Sequence, residues 1–228
     1  AIAMEIPGGD QSDTYDTSGD TCFVRRNVVL DGNDLGEGAP IRPRGWALRM
    51  RNTISGTITD NIFANNTSGG LPRAMSLEPA EGPTNLRGIH NAAFQRNIVY
   101  NWGGPVLFYP PSAEVTGVTF DQNDFQDTGT ANPLINHDID NTSGVTGTNN
   151  RFFSGRAAGQ WFSINGVDKT IEQWKTACDD TTSTATQVSY VEPTRSASSY
   201  NASLGGTASL AAFITEARLQ SRQNWRSQ

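Results

Sequence analysis

One asparagine recurs along the chain inside a repeated pattern of polar and apolar positions. A polar residue precedes it, an apolar residue follows two positions later, and a turn-forming residue follows four positions later. The anchors are Asn27, Asn61, Asn97, Asn123 and Asn150. They are 26 to 36 residues apart, a period that is typical of stacked supersecondary units.

Each anchored stretch, such as "TDNIFANN" at 59–66, predicts a corner, a short strand and a second corner. The anchor is expected to adopt the left-handed backbone of a tight corner, and stacked Asn side chains are expected to hydrogen-bond from unit to unit. The apolar residues, expected to face inward, are Val29, Phe63, Val99, Phe125 and Phe152. The turn formers, expected to end the strands, are Asp31, Asn65, Asn101, Asp127 and Ser154.

Two further strands are predicted in each unit. The first lies roughly 13 to 22 residues before an anchor or follows the last one, and its stretches are 45–51, 73–79, 105–110, 133–138 and 160–165. The other comes just before the anchor, as in "SGTIT", "IHNAAF", "VTGVTF" and "VTGTN". Three short strands per unit predict an all-β, three-strand parallel solenoid.

The anchored Asn, the in-and-out strands and the three-strand period resemble the right-handed parallel β-helix proteins of the pectate-lyase-like superfamily. The resemblance covers about residues 22 to 165. It implies a secreted protein, extracellular or on the cell surface, with a groove along the first strands that suits an extended polysaccharide. Carbohydrate-active enzymes and non-catalytic proteins share this architecture, so the resemblance leaves both open.

The repeat ends after residue 165, which predicts β-helix coils over 1–168 and a C-terminal capping segment with two short helices over 169–228. Thr170 and Gln173 form a capping-box pattern before the first helix. Leu210, Phe213, Ile214 and Ala217 share one face of the second, and 189–200 is expected to be extended. This tail resembles those of secreted bacterial β-helix proteins. Residues 1–20 show no equivalent cap, which suggests further coils or another chain at that end.

The composition limits the classes of molecule that the protein is expected to bind. A net charge of −6 argues against nucleic-acid binding, and no apolar run is long enough for membrane insertion. The basic residues are 15 Arg and only Lys169 and Lys175, a set that suits recognition of carboxylates or phosphates or reflects genomic bias. Cys22 and Cys178 lie far apart, which predicts two isolated buried thiols.

The candidate site is a column of outward side chains along the first strands. With Met75 and Leu77 inward, matching of the units places Glu78, Tyr109 and His137 outward on consecutive units. Arg49 and Arg51 lie on the unit before, and these five residues form the catalytic candidates. The substrate-binding candidates are Trp46, Arg73 and Asp138. A slip of one residue would turn such side chains inward.

Two chemistries fit this set on an acidic polysaccharide, and the leading interpretation is a lyase or epimerase. A lyase or epimerase would use an Arg against the substrate carboxylate and His137 or Tyr109 as the base. A glycoside hydrolase would use Glu78 and Asp138 as its two carboxylates. The rival to both is a non-catalytic structural, adhesin or sugar-binding β-helix, in which His137 is a surface or ladder residue and Glu78 and Tyr109 mark strand ends before prolines.

One loop offers oxygen ligands for a metal ion. "DGNDLGEG" at 31–38 contains Asp31, Asn33, Asp34 and Glu37, and such oxygens suit Ca²⁺. The spacing is not that of an EF-hand, because Leu35 and Arg42 stand at positions where ligands are expected. The sequence thus admits Ca²⁺ as a cofactor, and it requires none.

Overall fold

The structure, a computed structural model, describes residues 4–7, 21–30, 46–51, 55–65, 73–78, 89–103, 106–108, 115–138, 142–190, 193–194 and 196–219. The first strands are β1 Met4–Pro7, β2 Thr21–Arg25, β3 Val28–Leu30, β4 Trp46–Arg51, β5 Ser55–Thr59, β6 Ile62–Ala64, β7 Arg73–Glu78, β8 Ile89–His90, β9 Ala92–Gln95 and β10 Ile98–Tyr100. The others are β11 Val106–Phe108, β12 Val115–Thr116, β13 Val118–Asp121, β14 Asp124–Asp127, β15 Ile135–His137, β16 Val145–Thr148, β17 Arg151–Ser154, β18 Phe162–Ile164, β19 Val167–Lys169 and β20 Thr184–Ala185. The helices are α1 Ile171–Ala177, α2 Ala197–Ser203 and α3 Leu210–Leu219.

The described residues are mostly β, and their strands form parallel sheets. The first sheet has the order β1-β4-β7-β11-β15-β18-β19, the second β2-β5-β9-β13-β16 and the third β3-β6-β10-β14-β17-β20, while β8 and β12 form a short pair. Pairing is parallel throughout, except where β19 turns back antiparallel on β18. Neighbours within a sheet come from successive repeat units, so the sequence period and the strand pairing coincide.

The predicted strand positions are confirmed wherever the structure describes them. Each first-strand stretch contains one strand of the first sheet, from β4 to β18. The opening "TDNIFANN" holds the end of β5, a corner, and β6. The five inward apolar residues are all confirmed as buried, because alternating side chains face opposite sides of a strand.

The anchor asparagines form a continuous buried ladder, as predicted. Each side chain donates through Nδ2 to Oδ1 of the next anchor, over 3.0 Å from Asn27 to Asn61, 2.9 Å to Asn97, 2.9 Å to Asn123 and 3.0 Å to Asn150. The backbone N–H of each anchor donates to the same Oδ1. The ladder ends on the hydroxyl of Ser183, 3.2 Å from Asn150 Nδ2.

The left-handed corner lies one residue earlier than predicted. At this corner positive φ belongs to the polar residues before the anchors, which are Arg26, Asp60, Arg96, Gln122 and Asn149. The prediction for the anchor itself was wrong, because the buried ladder occupies its side chain and the exposed residue before it makes the turn. Four of these residues are exposed and Asp60 is half-buried, so polar side chains at this corner remain in contact with solvent.

Aromatic rings stack along the interior. Phe94 stacks on Phe120 at 5.0 Å, and Phe125 stacks on Phe152 at 5.5 Å. The series ends at Phe162, whose ring lies 5.2 Å from Trp174 of α1 and almost parallel to it. Buried aromatic area of this kind supplies much of the stability of a core.

A second polar column runs along the interior at the next corner. Asn65, Asn101, Asp127 and Ser154 follow the residues of the third sheet that pair with one another, and all four are buried. Asn101 Oδ1 accepts from the N–H and the hydroxyl of Thr128, both at 2.9 Å. The Oδ2 atom of Asp127 is buried without a hydrogen bond, and burial raises the pKa of this carboxyl. The N–H of Gly129, 2.9 Å from Oδ1, opposes that rise.

Helix α1 begins as predicted. The Thr170 hydroxyl accepts from Gln173 N at 3.2 Å, and Thr170 N donates to Gln173 Oε1 at 2.9 Å, which confirms the capping box. Helix α2, Ala197–Ser203, begins inside 189–200, where an extended segment was predicted, so this prediction was wrong from residue 197 onward. Its start is fixed by a reciprocal pair between Ser196 and Ser199. Helix α3 matches the amphipathic segment. Within the described residues, no helix is both long and apolar enough to cross a membrane.

Candidate functional site

Two columns of the first sheet alternate with its buried apolar columns and are polar at most positions. One column runs from Arg49 through Ser76, Leu107 and Asn136 to Ser163, so Leu107 interrupts its polar residues. The other pairs Arg51 with Glu78. Asp138, one position beyond His137, lies at the same level of the sheet as Glu78, because His137 shares a column with Leu77.

His137 belongs to a buried column, which corrects the predicted register. It aligns with Phe108 and Leu77, and its exposed fraction is 0%. Ile135 is equally buried, while Asn136 between them is half-buried. The predicted outward orientation of His137 was therefore wrong by one residue. The imidazole lies inside, with its ring centroid 6.5 Å from that of Trp174.

The outer positions of the first sheet differ in accessibility. Asn136 and Asp138 are half-buried, whereas Ser76 and Ser163 are buried. Asn136 and Asp138 are consecutive alternate residues, so both lie on the side opposite His137. This places an amide and a carboxyl at adjacent levels of the outer face.

The remaining candidate residues are located only by strand pairing, or they lie outside the described residues. Trp46 pairs with Arg73 on neighbouring strands, and the positions of Arg49, Arg51 and Glu78 follow from the register above. Tyr109 and the loop 31–38 proposed for Ca²⁺ lie outside the described residues. Within the part of the chain that the structure describes, no three His, Cys, Asp or Glu side chains are grouped to hold a metal ion.

The third sheet carries a charged cluster that the sequence did not predict. Arg151 forms two hydrogen bonds of 2.6 Å with the carboxylate of Asp124, and Tyr190 donates to the same carboxylate at 3.2 Å. The hydrogen bond from Arg151 to Asp124 raises the pKa of the guanidinium, and burial followed by the charge of Asp124 raises the pKa of Tyr190. The ring of Tyr190 also contacts Tyr100 edge to face, at 5.3 Å.

This cluster fastens the chain that follows β20 across the third sheet. Val188 N donates to the side chain of Gln126 at 2.8 Å, one strand away from the pairing of β20 with β17. The segment covers Asp124, which is buried, so the cluster has a structural role: it holds the segment on the third sheet. No sequence signal could have indicated it, since Asp124 and Tyr190 are 66 residues apart.

The corner before the anchors is exposed and charged. Arg96 and Asp60 form a paired interaction, with 2.7 Å between Nε and Oδ1. The hydrogen bond from Arg96 lowers the pKa of Asp60. Nearby, the guanidinium of Arg25 lies 4.4 Å from the ring centroid of Phe23, which is 60% exposed. The charges of Arg96 and Asp60 therefore satisfy one another at this corner.

An open groove lies between the β18–β19 hairpin and α1. Its volume is about 570 Å³, which falls in the range of small-molecule sites. Its lining includes Ile164, Val167 and Ala177, and polar groups from Lys169, Gln173 and Thr176. The hairpin turns at Asn165 and Gly166, both with positive φ as a tight two-residue turn requires. The sequence reasoning missed this "NG" signal.

The two cysteines are free thiols. Cys178 is buried, as predicted, whereas Cys22 is only half-buried. Burial, followed by the nearby charge of Asp180, raises the pKa of Cys178 to about 12. Such a thiol is protonated at neutral pH and therefore a poor nucleophile.

No protein-family model matches this sequence, and comparison with curated proteins and with solved structures finds no match either. The functional argument consequently depends on the geometry of the chain itself.

Proposed function

We propose that the three sheets are the faces of a right-handed parallel β-helix that binds an extended acidic polysaccharide along the outer face of its first sheet. The coils occupy residues 1–168, and residues 169–228 seal one end. The protein acts outside the cell, where such polymers occur. The observation that carries the proposal is the strict register of the first sheet, which aligns Arg49, Ser76, Asn136 and Ser163 in one column that only Leu107 interrupts.

The register suits a polymer because both are periodic. Neighbouring strands lie about 4.8 Å apart, so residues of one column meet successive parts of a chain that runs across the strands. Asn136 and Asp138 supply hydrogen-bonding groups on this face. Arg49 and Arg51, at the same two levels on β4, would bind sugar carboxylates. Arginine suits this role better than lysine, because its planar guanidinium can form two parallel hydrogen bonds with one carboxylate.

Binding without catalysis is favoured by the position of His137. A general base must lie within hydrogen-bond reach of the proton that it removes, and His137 faces the interior with an exposed fraction of 0%. The remaining base candidate of the predicted set is Tyr109. A structural or sugar-binding β-helix therefore accounts best for the first sheet.

A polysaccharide lyase or epimerase is the second candidate. It is favoured by one observation, that Arg51, Glu78 and Asp138 fall at one level of the first sheet. An arginine to neutralise the uronate and a carboxyl to handle a proton are two of the groups that such chemistry needs. Hydrolysis would instead use Glu78 and Asp138 as its carboxylate pair.

Affinity electrophoresis in gels that contain polygalacturonate or alginate tests the binding. We expect the native protein to be retarded and the double variant Arg49→Ala/Arg51→Ala to lose at least about tenfold in affinity, because each charge-assisted pair contributes about 1.5–3 kcal/mol. Arg25→Ala is the control, since Arg25 lies on the second sheet. Equal retardation of both variants would contradict the assignment of the face.

Absorbance near 235 nm during incubation with the same polymers separates binding from elimination. Binding alone predicts a flat trace. A rise that Tyr109→Phe abolishes would instead establish a lyase, and new reducing ends without a rise would indicate hydrolysis.

A further inference from the structure

The groove between the β18–β19 hairpin and α1 combines an apolar floor with polar groups. Ile164, Val167 and Ala177 supply the apolar surface. Its β18 and β19 walls belong to the first sheet. Ile164 pairs with His137 and with Val167, so these walls lie on the side of the sheet that His137 faces, at the end that α1 covers. A sugar ring has the matching character, since its C–H faces are apolar and its rim carries hydroxyl groups.

The polar groups retain hydrogen-bonding capacity after their internal bonds are counted. Gln173 accepts through Oε1 from Thr170 N, which leaves both protons of its amide to donate. Thr176 donates its hydroxyl proton to Glu172 O at 2.9 Å, and Thr142 donates to Ala177 O at 2.6 Å. Both hydroxyl oxygens therefore keep lone pairs that can accept from a ligand.

The charges of the groove favour an anion near Lys169. Lys169 and Glu172 are its charged lining residues, and Glu172 is already 3.6 Å from Lys175 on the same helix. Lys169 thus presents a cation beside the amide donors of Gln173. A cation and an amide that donates, facing hydroxyl acceptors over an apolar floor, fit a carboxylate-bearing sugar ring.

We propose that this groove binds a single uronate unit, with Lys169 and the amide of Gln173 on the carboxylate and Thr142 and Thr176 on ring hydroxyls. The inference depends on the proposed function and deepens it, because it assigns a second site for the same class of acidic sugar beside α1. Such a site would let the protein hold a single uronate separately from the polymer on the first sheet.

Titration calorimetry with galacturonate and with galactose tests the subsite. We expect galacturonate to bind at least about tenfold more tightly than galactose, a difference of about 1.4 kcal/mol. Gln173→Glu is the sharpest variant, because its carboxylate oxygens still accept from Thr170 N while the amide donors disappear. It should lower galacturonate affinity at least about tenfold and leave the circular dichroism spectrum unchanged.

Lys169→Gln should have a similar effect on galacturonate, and Lys175→Gln serves as the matched control, because Lys175 is outside the lining. Equal affinity for the two sugars, the absence of saturable binding, or unchanged affinity in both Lys169→Gln and Gln173→Glu would overturn the subsite. Retained binding of polygalacturonate in that event would leave the proposed function intact, whereas loss of polymer binding with retained galacturonate binding would remove the proposed function alone.

Discussion

At the residue scale, the anchor asparagine explains the oddly polar repeat. Each internal anchor uses its full hydrogen-bonding capacity. Asn97, for example, donates to Asn123 and to Ile58 O, and its Oδ1 accepts twice from Asn61. A buried amide is stable only when all of these bonds are made, and the stack makes them by repetition. The residue type is therefore dictated by hydrogen bonding inside the stack.

The ladder predicts that substitution of an anchor asparagine destabilises the protein by an amount that depends on its position in the ladder. Asn97→Ala should lower the free energy of unfolding by roughly 3–5 kcal/mol, because several buried groups lose partners at once. Asn27→Ala is the control at the end of the ladder, where the side chain is half-buried, and should cost about 1 kcal/mol. Urea denaturation followed by circular dichroism measures both. Equal costs at the two positions would rule out a cooperative ladder.

Asp127 predicts a pH-dependent variant. Its folded pKa is raised, so the folded state holds a proton that the unfolded state has released. The contribution of this group to the free energy of unfolding therefore decreases as the pH rises from its pKa in the unfolded state to its pKa in the folded state. Above the folded-state pKa the loss is complete. Asp127→Asn keeps an oxygen for Gly129 N and should stabilise the protein at pH 8, by on the order of 1 kcal/mol, and less at pH 4.

Thermal or urea unfolding between pH 4 and pH 8 measures the difference between Asp127→Asn and the native protein. Asp179→Asn is the control, because Asp179 is exposed and asparagine tolerates its positive φ. A difference that does not change with pH would show that burial does not perturb this carboxyl.

At the element scale, the sequence predicted where strands lie better than which way their side chains face. Inward positions were correct around the anchors, where a fixed distance of two positions from a recurrent Asn sets the alternation. They failed at β15, because Leu134 and Ile135 are adjacent and both buried. When two adjacent residues are both buried, the sequence does not show which of them faces the core, so His137 was assigned to the wrong side of β15.

The capping segment shows the same limit. Thr170 and Gln173 predicted α1 because a capping box is a local signal. Helix α2 was missed because "ASSYNAS" is rich in Ser and Asn, which are weak helix formers, and its Ser196–Ser199 pair lacks the usual Glu or Gln. The fastening of Tyr190 on Asp124 is a tertiary contact that no local pattern reports.

Helix α1 predicts how the stack is closed. Trp174→Ala should destabilise the protein by about 3–5 kcal/mol, since it removes the ring that covers Phe162. Thr170→Ala should cost about 1 kcal/mol, the usual value of an N-cap. Thr176→Ala, in the same helix but exposed, is the control. Equal melting temperatures for Trp174→Ala and Thr176→Ala would show that α1 does not seal the core.

At the scale of the whole molecule, repetition serves both stability and recognition. The ladder, the aromatic stack and the first sheet each advance by one strand per unit, so one register aligns the core and the outer face. The candidate site could be predicted only as a location, because the sequence identified the first strands and misassigned the register of one of them, β15. Its polar positions suit a periodic ligand, and the groove at α1, on the opposite side of the sheet, suits a single uronate.

Titration calorimetry with oligogalacturonates of increasing length tests the central claim most directly. If the polymer runs across the strands of the first sheet, affinity should rise with each added sugar until the oligomer spans the sheet, and then level off. Affinity that is already complete with one sugar, or no binding at any length, would contradict a polysaccharide-binding face.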